Sequence, residues 1–274
     1  MSQVAAAILA TSPTSYWPLD ETPGASTAYD QMSRNDGAID PSVQLSVIPF
    51  GDASAPLFDG TMSCLITVPN DAAYSQPYAN ALSVSVWLCP LALDFDLVDG
   101  TSDVFVRPLE KSVDSHTDVE WSVRLYNRAN PTRHSRLSFY TFKLGSPAGQ
   151  GNGSYMEYGV SANDQTPVDL GRWLFVVGHA EPWISETDNT TGCIFWKQNV
   201  EARRSPADKY SAYGVNPQAG SGPVRIGGNL KTGFKGGIAH VAIWNRPLSS
   251  DEIASVWSAG VADLQGDAMY HSYV

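Results

Sequence analysis

The chain has 274 residues, 43% hydrophobic and 16% charged, with 17 Lys and Arg against 28 Asp and Glu for a net charge of −11. That length is enough for one large core, and 23 Gly and 18 Pro without a periodic repeat exclude collagen-like, coiled-coil and low-complexity organisation. The acidic balance argues against nucleic acid as a partner, because such binding begins with neutralising phosphates. No apolar stretch reaches the roughly 18 residues of a membrane span.

In chain order, Ala-rich residues 2–10 predict a short helix. No basic segment precedes this apolar start, so it makes a poor signal peptide, and the chain is expected to be made and folded in a reducing cytosol. Three separated cysteines, Cys64, Cys89 and Cys193, allow at most one disulfide and form no metal pair. Leu65–Val68 predicts a strand. Leu82, Val84, Val86 and Leu88 alternate with small polar residues and Trp87, the period of a half-buried strand. Trp121, Val123 and Leu125 repeat that pattern, with Arg124 and Tyr126 opposite, and Leu137/Phe139 alternate with Tyr140/Phe142. Gly149-Gln150-Gly151-Asn152-Gly153 lacks the Lys and following helix of a phosphate loop and reads as a mobile loop. Trp173–Val177 is apolar throughout, as expected of a strand buried on both faces, and Cys193–Lys197, Val224–Ile226 and Ile238–Trp244 are further strands. In the last of these, His240 is expected on one face with Ile238, Ala242 and Trp244, as a structural histidine. Ser249 and Glu252 have capping-box spacing ahead of the apolar stripe Ile253/Val256/Trp257, and Gly260 can end that helix. Many short strands, few helical patterns and no linker predict one all-β sandwich or barrel.

Several of these segments carry a resemblance. Ser15-Tyr16-Trp17-Pro18-Leu19-Asp20-Glu21, Leu57-Phe58-Asp59-Gly60, Leu82–Leu88 and Gly171-Arg172-Trp173 are similar, in order, to laminin-G-like modules of the concanavalin A-like superfamily. The closing run matches best: Arg225-Ile226-Gly227-Gly228, Phe234-Lys235-Gly236-Gly237-Ile238, Ala242-Ile243-Trp244-Asn245, Leu248-Ser249 and Glu252-Ile253. The resemblance implies a two-sheet antiparallel jelly-roll sandwich with a short helix near each end. The expected division is an N-terminal arm at 1–12, the jelly-roll domain at 13–260 and a C-terminal tail at 261–274.

No catalytic constellation stands out, and no enzyme is expected. Retaining glycosidases need two carboxylates about 5–5.5 Å apart; Glu186/Asp188 and Asp118/Glu120 each lack a third acid of the Glu-x-Asp-x-x-Glu type. Arg124, Tyr126, Tyr140 and His179 are residue types that a polysaccharide lyase uses. The five histidines lack zinc spacing. The resemblance raises calcium as a cofactor, with Asp20, Asp30 and Asp36, or Asp94, Asp96, Asp99 and Asp103, as oxygen donors; each is equally readable as a turn-forming Asp. Loop aromatics Tyr155, Tyr158, Trp183, Tyr210 and Tyr213 are the candidate ligand-binding residues. Arg124, Arg128, Arg133, His134 and Arg136 fall within thirteen residues. This cluster is either a solvated loop and strand edge or a docking patch for an acidic partner, with Arg128, Arg133 and Arg136 as its contacts. The terminal segments 1–12 and 261–274, with Met269, Tyr270 and Tyr273, are either docking arms or frayed ends.

The opening helix followed by Ser15–Glu21 also resembles bacteriophage minor tail and virion-surface proteins. That implies a virion structural protein, a capsid decoration or tail adhesin, attached to other virion proteins or to surface glycan and reaching the virion surface from the host cytoplasm. Self-association into a homo-oligomer is compatible with it. A free carbohydrate-binding lectin and a polysaccharide-cleaving enzyme are the alternatives.

Overall fold

The structure, a computed structural model, describes residues 1–76, 81–95, 105–113, 118–130, 136–145, 151–157, 170–181, 193–201, 209–210, 216–229 and 233–265. The elements in order are α1 (Gln3–Ala10), β1 (Ser15–Trp17), β2 (Thr27–Ala28), β3 (Gly37–Ile39), β4 (Gln44–Phe50), β5 (Ala53–Asp59), β6 (Ile66–Val68), β7 (Leu82–Pro90) and β8 (Phe105–Ser112). They continue with β9 (Val119–Tyr126), β10 (Arg136–Phe142), β11 (Gly151–Glu157), β12 (Leu174–Ala180), β13 (Cys193–Lys197), β14 (Val200–Glu201), β15 (Lys209–Tyr210), β16 (Val224–Ile226), β17 (Lys235–Trp244) and α2 (Ser250–Gln265).

The strands form two antiparallel sheets, as expected of the sandwich. One has eight strands, in the order β14-β13-β12-β7-β17-β5-β4 with β1 also on β17; the other has nine, β15-β11-β10-β9-β8-β16-β6-β3-β2. Alternation decides what lies between them. Leu82, Val84, Val86 and Leu88 of β7 enter one apolar cluster with Trp121, Val123 and Leu125 of β9, Leu137 and Phe139 of β10 and Leu174 and Val176 of β12. Gly178 keeps this contact close, because a Cβ there would stand 2.3 Å from the Phe139 ring.

The opposite face of the eight-stranded sheet is apolar as well, so it needs a second cover. Trp87, Phe175, Val177 and Trp244 pack under Val4 and Ile8 of α1 and Ile253 and Val256 of α2. Each fully buried side chain of that size stabilises by about 1.5–3 kcal/mol. The capping box forms as read: Glu252 N–H donates to Ser249 Oγ, and Ser249 N–H to Glu252 Oε2. Gly260 does not end α2. The helix continues to Gln265, and Gly260 admits the Trp87 indole, which a Cβ would meet at 2.1 Å. Both terminal segments are packed within their described parts. Val4 and Ile8, in the expected arm, are fully buried. Asp263, in the expected tail, accepts the N–H groups of Gln3 and Val4.

A bulge interrupts β17 where it pairs with β7, between Ala239 and Ala242. His240 sits in it with φ 51°, a left-handed backbone uncommon for any residue but Gly. The bulge breaks the expected shared face. Ile238, Val241 and Ile243 join the inter-sheet core, whereas Ala239, Ala242 and Trp244 join the helix-covered side.

Candidate functional site

The outer face of the nine-stranded sheet has a different chemistry. Because Trp121, Val123 and Leu125 point inward, Ser122, Arg124 and Tyr126 of β9 point outward. Register then places Arg124 opposite Ser138 of β10, and Ser138 opposite Tyr155 of β11. On the other flank Ser122 faces Glu110 of β8, which faces Arg225 of β16. Glu110, Ser122, Arg124, Tyr126, Ser138 and Tyr140 are all buried, Arg124 to 1% exposure.

Arg124 is the centre of this face. Its guanidinium lies over three rings, Phe105 at 4.3 Å, Tyr140 at 4.6 Å and Phe142 at 4.8 Å from the centroids. Phe142 and Tyr140 pack closely on β11 because Gly151 and Gly153 carry no side chain: a Cβ would meet Phe142 at 2.6 Å and Tyr140 at 2.3 Å. These glycines, expected in a mobile loop, are strand residues that make room for the cradle; residues 149 and 150 lie outside the described part. Arg124 Nε donates to Ser122 Oγ at 3.2 Å, but Nη2 has no hydrogen-bond partner, and among the described residues no carboxylate pairs with it. Ser138 Oγ, its cross-strand neighbour, is likewise buried without a partner. Cation–π contact offsets part of the cost of burying such a charge, about 2 kcal/mol per well-placed ring, whereas the effective penalty is several kcal/mol.

The neighbouring charges are paired. Arg225 Nη1 donates to the Ser112 carbonyl and hydroxyl, both at 2.7 Å, and approaches Glu110 at 3.5 Å, while Arg107 bonds the other Glu110 oxygen at 3.2 Å. Burial pulls the Arg107 guanidinium down to about 10; Glu110 opposes that shift and the nearby positive charge of Arg124 adds to it. An anion beside Arg124 would offset the positive charge of Arg124. A carboxylate suits a guanidinium through two parallel hydrogen bonds, and the Tyr155 side of the row offers an aromatic surface.

The expected residues are distributed as follows. Tyr155 is half-buried on β11, with Arg136 stacked 3.5 Å over its ring, so a candidate ligand aromatic and a candidate docking cation form one unit beside Ser138. Tyr210 lies on β15 opposite Gly153. Tyr158, Trp183, Tyr213, Arg133 and His134 lie outside the described residues, as do Glu186, Asp188, Asp96, Asp99 and Asp103. Arg128 is exposed and bonds Asp94 through two nitrogens, so both expected residues are engaged with each other. Arg124 is buried in the cradle and leaves the surface patch in which the sequence grouped it.

Of the acids read as catalytic or metal-binding, Glu120, Asp30 and Asp36 have structural partners. A bulge opposite Lys111 and Ser112 turns Glu120 beside Trp121, where it accepts Lys111 Nζ at 2.6 Å together with Ser75 Oγ and the N–H groups of Gln76 and Gly220. Asp30 accepts the N–H groups of Tyr16, Met32, Arg34 and Asn35, and Asp36 accepts that of Asp30. Among the described residues no three His, Cys, Asp or Glu side chains converge as metal ligands. His179 alternates with Phe175 and Val177, so it faces the helix side of the other sheet. The proposed lyase set of Arg124, Tyr126, Tyr140 and His179 is therefore not brought together. Sequence reading missed Glu110, Ser122, Ser138 and Arg225; period two assigned the outward side of β9, but a pairing 115 residues apart leaves no local pattern.

No protein-family model and no curated protein matches the sequence. Solved structures do match in fold. The binding domain of botulinum neurotoxin serotype D superposes with a TM-score of 0.61 at 13% identity, over 93% of this chain and 53% of that one. The botulinum neurotoxin DC binding domain, in complex with rat synaptotagmin II, gives 0.61 at 12%, over 91% and 52%. The serotype D domain in complex with N-acetylneuraminic acid gives 0.54 at 13%, over 94% and 52%. The chain thus spans about half the length of these domains and shares their sandwich fold.

Proposed function

We propose that the chain is a non-enzymatic attachment module whose nine-stranded sheet binds an acidic ligand through Arg124, in the first place a glycan bearing a carboxylate. One observation carries the reading: two adjacent buried polar groups, Arg124 Nη2 and Ser138 Oγ, lack partners in the centre of an aromatic-lined sheet face. Buried polar groups are nearly always paired, and one that is not asks for a ligand or water. Two neighbours in fold are in complex with an acidic sugar, N-acetylneuraminic acid, and with a protein, rat synaptotagmin II, and both ligand classes are compatible with this face. The resemblance to phage tail and virion-surface modules extends the proposal to display on a virion, as capsid decoration or tail adhesin.

The test is titration of the purified chain with N-acetylneuraminic acid and with neutral hexoses, in calcium and in chelator. Acid-selective binding that falls in Arg124→Met by about 10–150-fold, the loss of one charge-assisted hydrogen bond of ~1.5–3 kcal/mol, is the expected result. Equal binding of neutral sugars, or an unchanged Arg124→Met, overturns the site. A chelator effect would bring calcium into it, and docking of the chain on virions tests the wider setting.

A further inference from the structure

A cavity lies on the helix side of the molecule, far in character from the arginine face. It is a cleft of about 550 Å³ between α1, the end of α2, the β4–β5 turn and the bulge of β17. That volume is within the range of small-molecule sites, roughly 300–1,000 Å³. His240 and Tyr16 form one wall, Phe50, Leu9 and Leu19 supply hydrocarbon, and Asp20, Asp52 and Asp263 supply charge, with no Lys or Arg side chain in the lining.

His240 is the informative group. It is 6% exposed, its Nδ1 is 2.7 Å from the Tyr16 hydroxyl, and Phe50 meets its ring edge-on with centroids 4.8 Å apart. Among the described residues Tyr16 is the one hydrogen-bond partner of the His240 side chain, which leaves Nε2 of a largely enclosed imidazole without one, and His240 lines the cleft. Burial lowers its pKa to about 3, which keeps the ring neutral. The Tyr16 phenol is pushed upward, first by burial and then by the charges of Asp20 and Asp263. Asp263 is held in place by the N–H groups of Gln3 and Val4. The walls therefore combine carboxylates, a neutral hydrogen-bonding pair and an apolar floor.

We propose that this cleft binds a small organic ammonium ion, its charge balanced by the Asp20, Asp52 and Asp263 carboxylates and its hydrocarbon part against Phe50 and Leu19. A neutral analogue of the same shape forgoes the charge term, and an anion is repelled. The site is independent of Arg124.

The probe pair is n-butylammonium and n-butanol, titrated into the full isotope-labelled chain while the His240 imidazole and the backbone amides of 50–55 are followed by NMR. Saturable butylammonium binding is expected, with shifts at His240 and butanol weaker by roughly tenfold or more. Asp52→Asn and Asp20→Asn, both at exposed positions, should each weaken it several-fold. Ser54→Phe, which fills the cleft, should abolish it, and Arg124→Met should leave it unchanged. Equal binding of butanol, absence of saturation, shifts confined to other surfaces, or indifference to both Asp substitutions overturns the proposal. Loss of butylammonium binding in Arg124→Met would also overturn it, by tying the cleft to the other face.

Discussion

Each sheet turns one face away from the shared core, and the two faces are equally dry but differently made. Trp87, Phe175, Val177 and Trp244 of the eight-stranded sheet are sealed by two helices and contribute through hydrocarbon removed from water. Glu110, Ser122, Arg124 and Arg225 of the nine-stranded sheet are as deeply buried, yet each charge there carries a desolvation penalty that only its partners offset. Burial alone therefore does not say whether a residue stabilises. The first face holds the molecule together, and the second retains polarity whose worth lies in binding.

Five substitutions test that contrast. Trp87→Ala on the helix side should cost about 3–5 kcal/mol by urea denaturation, because Phe50 and Phe175 stand 5.3 and 5.1 Å from the indole and Gly260 leans on it. A loss below ~1 kcal/mol would mean the helices contribute little to stability. Lys111→Met should be nearly as damaging, about 3–5 kcal/mol, since Glu120 is left charged and buried; adding Glu120→Gln should recover a large part. Arg124→Met should break the pattern, leaving stability within ~1 kcal/mol or raising it, while anion binding weakens by about 10–150-fold. The smallest effect belongs to the exposed end of α2. Hydrogen bonding from Arg246 lowers Glu252 from 4.5 to about 2, so its stabilisation is present above pH 4.5 and is lost as pH falls through about 2. Arg246→Met should flatten that stretch of the stability–pH curve, and an unchanged slope would assign the acid sensitivity elsewhere.

Alternation made the sandwich legible. β7, β9 and β10 place their inward residues as period two predicts, because a half-buried strand has few other ways to hide its apolar side. Errors arose where one residue changes the count. The bulge at His240 reassigns Ile238 to the opposite side, and Gly260 looks like a stop signal until the Trp87 ring beside it is known. At the binding face, the outward turn of Arg124 could be read from β9 alone. Its isolation could not, because being unpaired depends on Ser138, Tyr140 and Phe142 arriving from another strand without a carboxylate. Likewise Gly151 and Gly153 signal a loop in sequence, and only the rings packed over them explain their presence in a strand.

The Asp263 carboxylate joins positions 260 residues apart. It caps an eight-residue helix of a length that is marginal in water by itself, and β1 likewise pairs with Ile243, Ala242 and Val241. During synthesis the opening segment therefore emerges with its partners still untranslated. Its assembly waits for β17 and α2 to clear the ribosome. A chain interrupted before residue 241 would carry Val4, Ile8 and Tyr16 as uncovered apolar surface, recognisable to chaperones as unfinished.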